Sequence, residues 1–286
     1  MRRLAALLSL LALTACGDAT SPGAGGATTA PPPKSGSYAA EGVVLRVTVE
    51  GGLAPDHRAG ELPYWTLYGD GRVVTRGPQI DIYPGPAWPN VQVEKVSGAT
   101  VDRIVAAAVE AGVDGKQHDY GDPAVADAFT TVFRLSAESG TYTTKVYARD
   151  EGDRAVGTTA EQRAARKELA DFKNHLTDLN GWLGAGTVTQ AAAYEPTSVA
   201  ILARPYAKRP GEQVSEQKVA WRGPDPKAGT DSPAGRCTVL TGADLAKVLK
   251  DLKASNTLTR WQAPGGDWSF RIRPLLPDER TCEDLS

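Results

Sequence analysis

Tyr68-Gly69-Asp70-Gly71 stands between two strand-forming runs, Tyr64 to Leu67 and Arg72 to Thr75. Gly71 can take positive φ at no steric cost, so the Asp-Gly pair predicts a tight hairpin and commits its flanks to antiparallel pairing. The surrounding sequence repeats this logic. Val43 to Val49 alternates and is rich in β-branched residues, Val91 to Val96 is a short strand, and Phe129 to Ala137 and Thr141 to Ala148 are strands joined around Ser139-Gly140. Val101, Ile104, Val105 and Ala108 fall at helical spacing, with Gly112 as the stop. A second helix opens on Thr159 and Gln162, which fit a capping box, and carries Leu169, Phe172, Leu176 and Leu179 on one face.

A second block follows the glycines of 181–186. Thr197 to Leu202, Lys218 to Trp221 and Trp268 to Arg273 read as strands, 223–236 as a Pro/Gly/Asp-rich loop, and Leu245, Val248, Leu249 and Leu252 as a helix. The expectation is an α+β fold of antiparallel sheets with packed helices, in an N-terminal half over 42–184 and a C-terminal half over 190–286. The halves echo one another. Ser97-Gly98-Ala99-Thr100-Val101 resembles Thr241-Gly242-Ala243-Asp244-Leu245, and Phe133 stands in its strand as Phe270 does in its own. Ser97 and Thr241 are the candidate helix caps, and each phenylalanine is expected to be buried under its own helix.

The first residues belong to targeting rather than to the fold. Arg2 and Arg3 precede an apolar run from Leu4 to Leu13, too short at ten residues to span a bilayer. Leu13-Thr14-Ala15-Cys16 then resembles the bacterial lipobox, L-[AST]-[AG]-C. The resemblance implies cleavage after Ala15, so that 1–15 is a lipoprotein signal peptide, and diacylglycerol on Cys16 as a membrane anchor. Residues 16–41 are mostly Gly, Ala, Ser, Thr and Pro and read as a flexible tether reaching on the order of 25–30 Å. Cys237 and Cys282 are then the remaining cysteines, and an even pair in an exported domain is expected to be oxidised.

The formal charge of −2 leaves no basic excess for nucleic acid. Catalytic signatures are sparse. Ser215-Glu216-Gln217-Lys218 matches S-x-x-K, but lacks the helix that such a serine nucleophile needs. His57, His118 and His175 form no zinc-spaced pair. No cofactor is implied. Asp114, His118, Asp119, Asp122 and Asp127 are the densest set of oxygen ligands, but without EF-hand spacing they read as a solvated turn held by Asx-type bonds rather than as a metal site. Tyr83 and Trp88 lie in a proline loop, Tyr83-Pro84-Gly85-Pro86-Ala87-Trp88-Pro89, that is either a recognition surface or a cover for the core.

The blocks LYGDGRVV (67–74), IYPGPAWP (82–89), DYGDPAVADAFTT (119–131), CTVLTGADLAKVL (237–249) and RPLLPDERTC (273–282) are similar to those of an actinobacterial family of secreted lipoproteins. That resemblance implies an extracytoplasmic location and transfers no catalytic residue. The function expected is a non-catalytic, lipid-anchored module on the outer face of the membrane that binds an envelope ligand or protein. The alternative is an envelope hydrolase working through carboxylates such as Asp119, Asp122 and Asp127.

Overall fold

The computed structural model describes residues 37–52, 60–137, 140–150, 156–208, 211 and 213–285. Cys16, the leader and most of the tether lie outside them. The last tether residues do not: Tyr38 packs against the first core, and the Asp70 N–H donates to Ala40 O at 3.2 Å. The fold thus begins a few residues before the expected boundary, because Tyr38 brings apolar area that the Gly/Ser/Thr stretch lacks.

The first sheet contains β1 (Val43–Gly51), β2 (Trp65–Tyr68), β3 (Arg72–Arg76), β4 (Val91–Lys95), β5 (Phe129–Ala137), β6 (Gly140–Tyr147) and β7 (Ala192–Ala193). Its order is β6-β5-β1-β2-β3-β4-β7, antiparallel throughout. The β2–β3 turn needs its glycine: Gly71 has φ +84°, and a Cβ there would meet Val96 O at 2.3 Å. Helices α1 (Gly98–Glu110), α2 (Ala160–Thr177) and the short α3 (Leu179–Leu183) complete this half. Leu45, Val47, Trp65, Leu67, Phe133 and Leu135 form one apolar face, covered by Val101, Ile104 and Val105 of α1 and Leu169, Phe172 and Leu176 of α2. Ser97 caps α1 by accepting from Thr100 N, and Thr159 and Gln162 form the reciprocal capping box of α2. Buried Arg166 ties α2 down by donating to the carbonyls of Tyr120, Tyr147 and Ala148.

The second sheet contains β8 (Ser198–Pro205), β9 (Lys218–Ala220), β10 (Thr230–Ser232), β11 (Gly235–Thr241), β12 (Arg260–Ala263) and β13 (Gly266–Pro274), in the order β10-β11-β8-β13-β12-β9. Only β9 and β12 pair in parallel. Helix α4 (Gly242–Ala254) covers one face through Leu245, Val248 and Leu252. The C-terminal segment covers the other: Leu275, Cys282 and Leu285 pack with Ala200, Leu202 and Cys237. The expected disulfide is present, with Cα atoms 6.0 Å apart.

The architecture is α+β, as expected. β7 pairs with β4, so the chain leaves the first sheet only after Ala193. The echo is topological in part. In each half the first strand, β1 or β8, lies between two antiparallel neighbours, one before the helix (β2, β11) and one after it (β5, β13). The strand leading into each helix also runs parallel to the phenylalanine-bearing strand. The details diverge. Thr241 makes no side-chain cap bond, Phe133 packs 6.2 Å from Phe172 of α2, and Phe270 is half-buried between Trp221 and Trp261.

The helix-free faces of both sheets meet through the C-terminal segment. Leu275 belongs to the second sheet's cluster, and Leu276 packs with Tyr68, Val74 and Val91 of the first. Asp278 accepts from Arg46 Nη2 and from Tyr68 OH, each at 2.7 Å. Arg273 and Glu279 form a buried pair at 2.7 Å, and the second Glu279 oxygen also accepts from Leu276 N at 2.7 Å.

Candidate functional site

The β3–β4 hairpin carries a fourteen-residue excursion, 77–90, in which Pro78, Pro84, Pro86 and Pro89 remove the donors that a continued ladder needs. Its base is closed by Gly77 N donating to Asn90 O at 2.8 Å and Asn90 Nδ2 donating to Pro78 O at 2.8 Å. Its far end is pinned to the other half of the protein. Ala87 N donates to Ser255 O at 3.0 Å, Thr257 N donates to Gly85 O at 2.9 Å, and Pro86 bridges Asn256. The excursion is therefore a strap from the first sheet to the end of α4.

The two aromatics singled out in this loop part company. Trp88 is half-buried against the core beneath α4, with Lys253 Nζ 5.4 Å from its ring centre. Tyr83 is 57% exposed, beside Ile80 at 62% and Ile82 at 58%. Three large, exposed side chains on one short segment are a feature of the kind that marks interaction sites.

The strap also walls a groove of about 590 Å³ at the junction of the halves. Gly60, Glu61, Tyr64 and Arg76 come from the first half, Pro86 from the strap, and Arg271 and Arg273 from β13. Alternation explains the arginines: Trp268, Phe270 and Ile272 face α4, so Arg271 and Arg273 take the opposite face, toward the junction. The electrostatics lean positive. Burial pushes the Arg271 guanidinium down, with Glu61 opposing and Arg204 adding to the push. Beside the groove, Lys173 Nζ lies 4.6 Å from the centre of the Tyr64 ring. Burial, then Arg149 and Arg76, bring that ammonium down to about 8.

The acidic stretch does not gather into a site. Asp114 accepts from the Lys116 backbone and pairs with His118 Nε2 at 2.8 Å. Asp119 forms an Asx turn with Gly121 N and accepts from Gln162 Nε2, both at 2.8 Å, joining the turn to the start of α2. Asp122 and Asp127 are exposed, and Asp127 has φ +56°. Among the described residues no three His, Cys, Asp or Glu side chains could together hold a metal ion. His175 is exposed on α2 and stacks on Trp182.

Sequence reasoning missed Ile80, Ile82, Arg76, Arg271 and Arg273. The arginines had a readable signal, the strict alternation of β13, but nothing local marks which sheet face meets another half. No family model, curated protein or solved structure matches the chain.

Proposed function

We propose that this is a lipid-anchored, extracytoplasmic binding module, held by Cys16 to the outer face of an actinobacterial cell membrane, that engages an envelope ligand through the strap and the groove behind it. The lipobox and the lipoprotein-like sequence blocks support the location. The Cys237–Cys282 disulfide agrees with an oxidising compartment. One diacylglycerol brings two acyl chains, enough for stable anchoring.

The observation that carries the binding reading is the exposure of Ile80, Ile82 and Tyr83 on a strap that is pinned at both ends and walls the groove. Side chains on a preordered segment bind at a lower ordering cost, because the backbone is already fixed. The test is a photocrosslinker placed at Tyr83 in growing cells, with one at exposed Lys247 of α4 as control. A discrete adduct from position 83, absent from 247 and lost in Ile80→Ser/Ile82→Ser, is the expected result. No adduct from 83, or the same adducts from both positions, overturns the reading.

A further inference from the structure

We propose that the junction groove is the seat of a small organic oxyanion, a molecule with one carboxylate or phosphate group on an apolar body. The inference rests on the binding role given to the strap and names the chemistry of its ligand.

Among the described residues, three guanidiniums, those of Arg76, Arg271 and Arg273, line the groove with one carboxylate, that of Glu61. The Arg273 charge is matched by Glu279, yet its Nε is buried with no hydrogen-bond partner. An orphaned donor at a residue 1% exposed is a standing cost at the wall of the groove. Arg76, exposed at the end of β3, has no carboxylate partner among the described residues. Burial is the main reason that nearby Lys173 holds its proton less tightly, and the positive charges of Arg149 and Arg76 add to it. Asp150 offsets part of this charge, pairing with Arg149 and with Lys173 at 3.5 Å.

Guanidinium is suited to this task because its planar fork matches both carboxylate and phosphate. The remaining lining selects the body of the ligand. Leu62, Tyr64, Pro86, Ala87 and Pro89 give apolar surface, and about 590 Å³ lies within the range of small-molecule pockets. A concave site of this size between two sheets admits a separate molecule rather than a flat membrane surface.

The test is titration calorimetry of the full chain in detergent with phenyl phosphate, benzoate and neutral benzyl alcohol as probes. Both anions are expected to bind at least about ten-fold more tightly than the alcohol, with affinity falling as salt rises. Arg76→Gln, at an exposed position where substitution should cost little stability, and Arg271→Gln should each weaken phenyl phosphate about ten-fold while leaving benzyl alcohol unchanged. Equal binding of all three probes, no anion binding, or wild-type affinity in both variants overturns the oxyanion. Phosphatidylglycerol vesicles form a further arm: they should leave phenyl phosphate binding unchanged, and competitive displacement overturns the small-molecule assignment. The strap reading is judged separately by the Tyr83 crosslink, which survives failure of the oxyanion and is lost only if the strap itself makes no contact.

Discussion

Removing the Glu279 carboxylate is expected to be among the most damaging single changes in the protein. Arg273 and Glu279 are 1% and 2% exposed, and two N–O contacts of 2.7 and 3.0 Å join them. Breaking such a pair by truncating one partner leaves an uncompensated buried charge and costs about 3–5 kcal/mol. Glu279→Ala also strips the acceptor from Leu276 N, adding about 1 kcal/mol. The sum is a large part of the ~5–15 kcal/mol that holds a typical domain together. The consequence is more than local, because Leu276 and Asp278 are the segment's contacts with the first sheet. Urea unfolding of Glu279→Ala should show a midpoint loss equivalent to about 4–6 kcal/mol. Arg273→Met/Glu279→Leu should recover most of it, since an apolar replacement leaves no charge behind. A Glu279→Ala variant within about 1 kcal/mol of wild type would refute the argument that this pair anchors the C-terminal segment.

Reduction of the disulfide, or Cys237→Ser/Cys282→Ser, frees a closure of 45 residues and should cost about 4 kcal/mol in denaturant unfolding. Thr159→Ala removes one half of the α2 capping box, and thermal unfolding should register a loss of about 1 kcal/mol. Burial alone would raise the Asp114 carboxyl, but the Lys116 backbone N–H, His118 and the Lys116 ammonium outweigh it and hold the group at about 2. Its folded value lies below its unfolded one, so its contribution is fully present above about pH 4 and is lost as pH falls through 2. Discounted for solvent screening, that is about 1 kcal/mol, and Asp114→Asn should flatten the acid limb of the stability–pH curve by this amount.

What the sequence could reveal depended on the range of the interaction. Asp70-Gly71, Ser97 and the Thr159–Gln162 pair are legible because turn and cap chemistry involves residues two or three apart. The cysteine pairing is legible because Cys237 and Cys282 are the two cysteines outside the lipobox-like segment. The C-terminal block is harder. Arg273, Asp278 and Glu279 look like solvated charges, and only contact with Arg46, Tyr68 and one another turns them into buried or half-buried anchors. Partners separated by 210 and 232 residues leave no periodic trace. The short strands β10 and β12 are too brief for alternation to declare them, and β10 lies where Pro and Gly suggest a loop. Thr241 failed as a cap although it precedes a helix as Ser97 does, so residue type at that position is permissive rather than sufficient. In the strap, composition marked the loop but could not divide its aromatics. Trp88 is covered because the strap is tied to Ser255 and Thr257, residues of the other half.

The central claim is that the strap and the groove behind it are where this protein meets its ligand. Hydrogen–deuterium exchange of the full chain, with and without a solubilised envelope fraction, tests it most directly. New protection confined to 77–90, 60–64 and 271–273 is the predicted result. Protection that leaves the strap unchanged and appears elsewhere, for instance on the 223–236 segment or the outer face of α4, would contradict it.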